Sequence, residues 1–307
     1  MPAAIEVHGL TRTFGDVLAV DHVDFLVEAG EIFGFLGPNG AGKTTTVRML
    51  TGVIDPSAGT ATIGGHDIRA EPSLSRAHLG IVPEDANVYL DLSLWQNIML
   101  MAQLHGVPRA ERVREGERLL EAVGLAERKR QKARVLSKGL RQRLMLCTAL
   151  VTSPDILFLD EPTSGLDVQS TRLIHRIVRD LNREGLTVFL TTHNMHEAEH
   201  VCSRVAIINR GRIVATDTPE HLRSAMQSSQ YLEVVFSEPR LADPDLESLA
   251  GVSEVTAADG GYRLFTETPG RVAVEVARFA DAKGLEIAHL CTRKPSLEEV
   301  FVQFTGQ

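Results

Sequence analysis

The chain has 307 residues, of which 43% are apolar, with a formal charge of -8 and a pI near 5.8. That length and apolar share suit two domains with real cores and exclude a disordered chain, and the acidic balance argues against a nucleic-acid partner. Cys147, Cys202 and Cys291 stand far apart, outside metal or redox spacing, which predicts a reducing compartment and thiols that serve as small core residues.

The opening "MPAAIEVHGL" lacks the basic-then-apolar order of a secretory leader. No run reaches the roughly 18 apolar residues of a membrane helix, so any membrane span would come from another chain. Within the first 30 residues, "AIEVHGLTRTF" and "VLAVDHVDFLV" alternate and are broken by Gly15 and Gly30, which predicts antiparallel strands. "EIFGFLGPNGAGKTTTVRMLTG" then reads as a buried strand, a glycine loop and a helix, the start of a parallel α/β core. Strand signals vanish from about residue 93 to 152, where four segments, "LAERKRQKA" among them, predict a helical insertion. They return at "DILFLDEP", "LTVFLTTH" and "RVAIINRGRIVAT", with the helix "TRLIHRIVRDLNREG" between the first two.

A polar "QSSQ" stretch ends this unit near residue 226 and predicts a second domain over residues 227–307. Its order is strand, helix "DPDLESLAG", a hairpin over Asp259-Gly260-Gly261, helix, strand and helix, which suits a small ferredoxin-like α+β domain. Residues 228–307 hold 13 acidic and 7 basic side chains, so most of the excess negative charge resides there.

Chemistry concentrates in the first unit. "GPNGAGKT" comprises Gly37, Pro38, Asn39, Gly40, Ala41, Gly42, Lys43 and Thr44, followed by Thr45, and it fits the phosphate loop G-x-x-x-x-G-K-[ST] in the required strand-loop-helix setting. Glycines let backbone N–H groups close around phosphate oxygens at a helix N-terminus. Lys43 is then placed to bridge β- and γ-phosphates, and the Thr44 hydroxyl to ligate Mg²⁺. The apolar strand of "DILFLDEP" delivers Asp160 and Glu161 at its C-terminal end, where parallel sheets bind ligands. Asp160 suits a Mg²⁺ partner, and Glu161 suits acceptance of a proton from attacking water. Far downstream of the loop, "VLSKGLRQRL" sets Ser137 and Gly139 at a helix start among Lys138, Arg141 and Arg143, a second anion site of the same physical kind.

Residues 5 to 220 carry five motifs in one order: the phosphate loop, "LSKGL", "DILFLDEP", "SGLD" and "TTHNMHEAE". This set resembles the ATP-binding subunits of ABC transporters. The resemblance implies a P-loop NTPase core with an antiparallel β subdomain and a helical insertion, followed by the small accessory domain. It implies that Phe14 stacks on adenine, that Glu161 is the catalytic base, that His193 contacts the γ-phosphate and that Asp167 reports nucleotide state across a subunit boundary. Glu84 stands where the family has a glutamine; it adds charge beside Asp160 and Glu161 and is carried over as a metal or water contact. The residues from Tyr89 to Trp95 would touch a membrane partner.

Lys138 and Leu140 replace the commonest glycine and glutamine of the signature, and with the tail "RKPSLEEVFVQFTG" they resemble the drug, antibiotic and sodium efflux branch. The expected protein thus binds ATP and Mg²⁺ and pairs with a second copy or a homologous ATPase subunit. It works at the cytoplasmic face of a membrane through separate permease subunits. ATP would lie between Lys43 of one chain and Ser137 and Gly139 of the other. A soluble ABC protein without transport, or a nucleotide-dependent binding or resistance protein with little turnover, are the alternatives.

Overall fold

The computed structural model describes residues 3–224, 230–237, 243–258, 260–293 and 296–305. Backbone contacts divide it into two units, Met1–Asp217 and Thr218–Gln307. The division precedes the "QSSQ" stretch, of which residues 227–229 lie outside the described residues.

The first unit opens with β1 (Ala3–Phe14) and β2 (Val17–Glu28), an antiparallel pair closed at Phe14 and Val17. β2 buries alternate residues, the mark of a sheet packed on one face. Next come β3 (Ile32–Leu36), α1 (Lys43–Leu50), β4 (Ala58–Ile63), β5 (His66–Asp67), α2 (Pro72–Ala77) and β6 (Leu79–Val82). β4 and β5 extend the antiparallel sheet to the order β2-β1-β4-β5. The small, polar "AGTATI" of β4 gives little apolar alternation and shows its strand character only through pairing with β1 and β5.

The predicted insertion is α3 (Leu94–Leu104), α4 (Arg109–Ala122) and α5 (Lys138–Leu150). A capping box of Ser93 and Gln96 starts α3. The predicted helix over "LAERKRQKA" is instead a short 3₁₀ turn at Ala126–Arg128 followed by irregular chain. Its basic residues offer no apolar face, and the backbone is held to the segment before α3 by bonds from Leu94 N–H to Gln131 (3.0 Å) and from Ala133 N–H to Leu92 (3.0 Å).

The unit finishes with β7 (Ile156–Asp160), α6 (Val168–Arg183), β8 (Thr187–Thr192), α7 (Met195–Val201), β9 (Arg204–Asn209) and β10 (Arg212–Asp217). Among the described residues the central sheet runs β10-β9-β3-β8-β7-β6, parallel except for β10. Every residue of β3, β7 and β8 is buried, as a sheet covered on both faces demands. Phe25 of β2 lies 5.5–5.8 Å from the rings of Phe33, Phe35 and Phe189, and this joins the antiparallel sheet to the central one. Truncating Phe33, which is fully buried, costs about 3–5 kcal/mol by the usual large-to-small scale.

The second unit is α8 (Pro219–Ser224), β11 (Tyr231–Phe236), α9 (Asp243–Glu247), β12 (Glu254–Ala258), β13 (Gly261–Phe265), α10 (Pro269–Lys283), β14 (Ile287–Arg293) and α11 (Leu297–Thr305). Its antiparallel sheet runs β12-β13-β11-β14, the ferredoxin-like order. α9 stops short of the predicted span, and Asp259 of the predicted hairpin lies outside the described residues. Leu232, Val234, Leu264, Val272 and Val276 form its core. Cys147 and Cys202 are buried, but Cys291 is only half-buried, because β14 is an edge strand with most side chains exposed.

Candidate functional site at the carboxyl edge of the central sheet

Strand register assembles the site. Leu36 pairs with Thr192 and Asp160 with Thr191, so Gly37, Glu161 and His193 leave the sheet at one edge. Gly42 caps α1 with φ 111°, and a Cβ there would lie 2.7 Å from the Ala19 carbonyl oxygen, so the loop requires glycine at this point. Pro38 and Ala41 close the loop through an Ala41 N–H bond of 3.2 Å, and Gly211 N–H ties Ala41 to β10's hairpin at 2.9 Å.

A cleft of about 230 Å³ opens beside the loop. Asn39, Gly40, Gly42, Lys43, Thr44 and Thr45 line one side, and Glu84, Glu161, Ser164 and His193 the other. First-turn N–H groups of α1 have no intrahelical acceptor, so the loop side presents donors and the positive end of a helix dipole. Lys43 is buried, and its ammonium donates to the carbonyls of Gly37 (2.8 Å) and Pro38 (3.2 Å).

The same ammonium lies 3.1 Å from Glu161 Oε1, an ion pair without hydrogen-bond geometry. The other carboxylate oxygen of Glu161 is 2.7 Å from His193 Nδ1. Glu161 adopts φ 49°, a left-handed conformation that costs a non-glycine residue on the order of 1–3 kcal/mol. Its N–H donates to the Thr191 carbonyl at 3.1 Å, which holds the strained backbone in place. Asp160 accepts from Thr191 Oγ1 at 2.5 Å and from Thr44 Oγ1 at 3.4 Å.

A hydroxyl and a carboxylate brought together in this way form a hard oxygen pair suited to Mg²⁺. Among the described residues no three His, Cys, Asp or Glu side chains group as a metal site. A cation here would therefore draw its remaining ligands from water and phosphate, the usual habit of Mg²⁺. Glu84 lines the cleft but accepts from Ser164 Oγ at 3.4 Å.

Eight of the residues singled out in the sequence do not line this cleft: Gly37, Pro38, Ala41 and Asp160, which belong to the loop and β7 directly behind it, and Phe14, Ser137, Gly139 and Asp167. Phe14 ends β1 with its ring 45% exposed under the Arg12 guanidinium, 4.5 Å from the centroid. Ser137 caps α5, is exposed and accepts from Leu140 N–H at 3.4 Å. Gly139 is buried: a Cβ there would come within 2.6 Å of Ser170 Oγ, so its glycine also serves the approach of α5 to α6. Asp167 caps α6, accepting from Ser170 N–H (2.8 Å) and Ser170 Oγ (2.9 Å), and these bonds hold its carboxyl below the usual carboxylate range. Thr191 and Ser164 also serve the site. The signal for Thr191 was a threonine pair closing the buried strand "TVFLTT" at its carboxyl end.

With this geometry in view, a family model described as ABC transporter matches residues 20–164, and one described as ATP-binding protein DrrA1-3-like, C-terminal domain matches residues 218–305. The chain is 32% identical over 306 residues to the linearmycin resistance ATP-binding protein LnrL of Bacillus subtilis (strain 168), covering 99% of this chain and 98% of that one. It is 36% identical to Nod factor export ATP-binding protein I of Paraburkholderia xenovorans (strain LB400), again over 99% and 98% of the two chains. A solved structure titled "Structure of ATP binding subunit of ABC transporter" superposes with a TM-score of 0.67 at 29% identity, over 72% of this chain and 92% of that one.

Proposed function

The chain belongs to the ATP-binding proteins of ABC transporters, and from that premise we propose that it binds and hydrolyses ATP to drive an exporter whose membrane-spanning subunits are separate chains. The observation that carries this reading is the Glu161 carboxylate, buried between the Lys43 ammonium and His193 at the mouth of the phosphate loop. Phosphate oxygens take the loop N–H groups and draw Lys43 away from Glu161. The freed carboxylate accepts a proton from the attacking water, and His193, half exposed, stabilises the phosphate end of the reaction. Thr44 and Asp160, with Glu84 across the cleft, are the residues that would hold Mg²⁺, which would neutralise charge on the phosphates.

ATP in this reading lies between two copies. Phe14 stands beside the turn of the β1–β2 hairpin, Ala19 of β2 lines the cleft together with Gly42, and in this reading the Phe14 ring supplies a face for adenine. Ser137, exposed at the start of α5, serves the nucleotide of the opposite copy, with Asp167 facing the same boundary. Binding closes the pair and hydrolysis opens it.

The membrane partner docks on a groove of about 200 Å³ lined by Val88, Tyr89, Met101, His105 and Met145. Buried Asn97 pins that loop, accepting from Tyr89 N–H at 2.8 Å and donating to the Tyr89 carbonyl at 3.0 Å, while the Tyr89 ring stays 53% exposed. Among the described residues no helix is long and apolar enough to cross a membrane, so the reading puts the chain at the cytoplasmic face, held by its permease. Export is favoured because relatives that match nearly the whole chain are named for Nod factor export and linearmycin resistance. Affinity purification from membranes tests it: recovery of a multi-span membrane protein that raises ATPase turnover supports the reading, and turnover with no such protein contradicts it.

A further inference from the structure

Glu197 lies in the first turn of α7, four residues after His193, and is only 2% exposed. Burying a carboxylate is costly unless it is paired and hydrogen-bonded. Its Oε1 accepts from Thr163 Oγ1 at 2.8 Å and from His175 Nε2 at 2.8 Å. Its backbone N–H donates to the Asn194 side chain at 3.2 Å, fixing the turn that follows His193. Thr163 lies two residues after Glu161 and one before the "SGLD" run, and His175 lies in the middle of α6, the helix that Asp167 caps. One oxygen thus ties together the segment carrying the base, the helix behind Asp167 and the helix behind His193. Oε2 is enclosed with no hydrogen-bond partner. The unmatched Oε2 is a cost that an apolar side chain would avoid, but only by leaving Thr163 Oγ1 and His175 Nε2 without this acceptor, so what a carboxylate provides here is the tie between their segments.

Thr163, His175 and His193 all face the cleft of about 890 Å³ between α6 and α7. The three tied segments therefore meet along one surface, and a shift of one is passed to the others through Glu197. We infer that Glu197 is a positioning residue for ATP hydrolysis, setting the spacing between Glu161 and His193 without touching nucleotide. The inference rests on the proposed roles of those two residues and adds to them the part that keeps them in register.

The test uses the purified full chain with Mg-ATP and compares Glu197→Leu, Glu197→Gln, Thr163→Val, the Thr163→Val/Glu197→Leu double variant and Glu161→Gln. Displacing a reacting group by about 1 Å can cost on the order of 10²-fold, so Glu197→Leu and Thr163→Val should each lower kcat roughly tenfold or more. KM and nucleotide affinity should stay within about twofold, because the phosphate loop is untouched. Glu197→Gln keeps the accepting oxygen and should restore turnover to within about twofold of wild type. The double variant should be no slower than Glu197→Leu alone, since both remove one linkage.

Unchanged kcat, a loss of affinity in place of turnover, or additive losses in the double variant would overturn the inference. If Glu197→Leu does not fold, Thr163→Val, which exchanges a hydroxyl for a methyl group, decides by the same readouts. Glu161→Gln separates the two readings. If it keeps turnover, the base assignment and this inference both fall; if it abolishes turnover while Glu197→Leu and Thr163→Val leave kcat intact, only this inference falls.

Discussion

Glu161 Oε2 lies 2.7 Å from His193 Nδ1, although the two residues are 32 apart in sequence. The parallel register of β7 and β8 makes the meeting inevitable: Asp160 pairs with Thr191, and each strand ends just before the functional side chain. Glu161 and His193 are therefore one structural unit, and Lys43 joins it from the other side.

Lys43 makes carbonyl and carboxylate contacts of 2.8–3.2 Å, which in the proposed function it exchanges for phosphate. Hydrogen bonds involving a charged group are worth about 1.5–3 kcal/mol, so Lys43→Ala should weaken ATP binding on the order of 10- to 100-fold. Equilibrium titration with a fluorescent nucleotide checks this, and unchanged affinity sinks the phosphate-cradle assignment.

Phe14 is exposed and contributes little to the core. Stacking of a base on an aromatic face is worth about 1–3 kcal/mol, so Phe14→Ala should cost roughly tenfold in ATP affinity. Its thermal unfolding midpoint should match wild type. A variant with full affinity removes adenine stacking from the account.

Ser137 and Lys43 belong to opposite halves of a shared site in this reading. Neither a Ser137→Arg chain nor a Lys43→Ala chain should associate on addition of ATP by itself. Their mixture retains one intact composite site and should do so, as read by light scattering or gel filtration. A mixture that never associates contradicts the sandwich.

Asp167 carries a carboxyl lowered by the N–H and hydroxyl of Ser170. A lowered folded-state value means that its contribution to stability is present above the ordinary carboxylate range and is lost as pH falls through the lowered value. Asp167→Asn should therefore flatten the acid limb of a plot of unfolding midpoint against pH. An unaltered acid limb would show that the cap is not linked to proton uptake.

Much of this was legible from residues alone. Buried strands such as "ILFLD" and "TVFLTT" announce themselves by their apolar runs "ILFL" and "VFL", and the phosphate loop by glycines at fixed spacing. The antiparallel strand "AGTATI" did not, because its small, polar residues are held in a strand by pairing with β1 and β5. "LAERKRQKA" misled because its composition favours helix while tertiary bonds to the chain before α3 hold it irregular. At Gly139 the sequence carries no sign of the packing reason for a glycine, since only the fold reveals that Ser170 crowds it. Glu197 sat unread inside "NMHEAEH", where nothing in the local pattern distinguishes a buried carboxylate from an exposed one. Burial is a property of what packs against a helix, and a helix of this length does not declare its partners.

The central claim is that Glu161 takes a proton from water at a site formed by the phosphate loop. The most direct test is single-turnover hydrolysis by Glu161→Gln beside its nucleotide affinity. The account predicts retained ATP binding with hydrolysis lowered at least about 10²-fold, the scale of losing a general base. Turnover near the wild-type rate would contradict it.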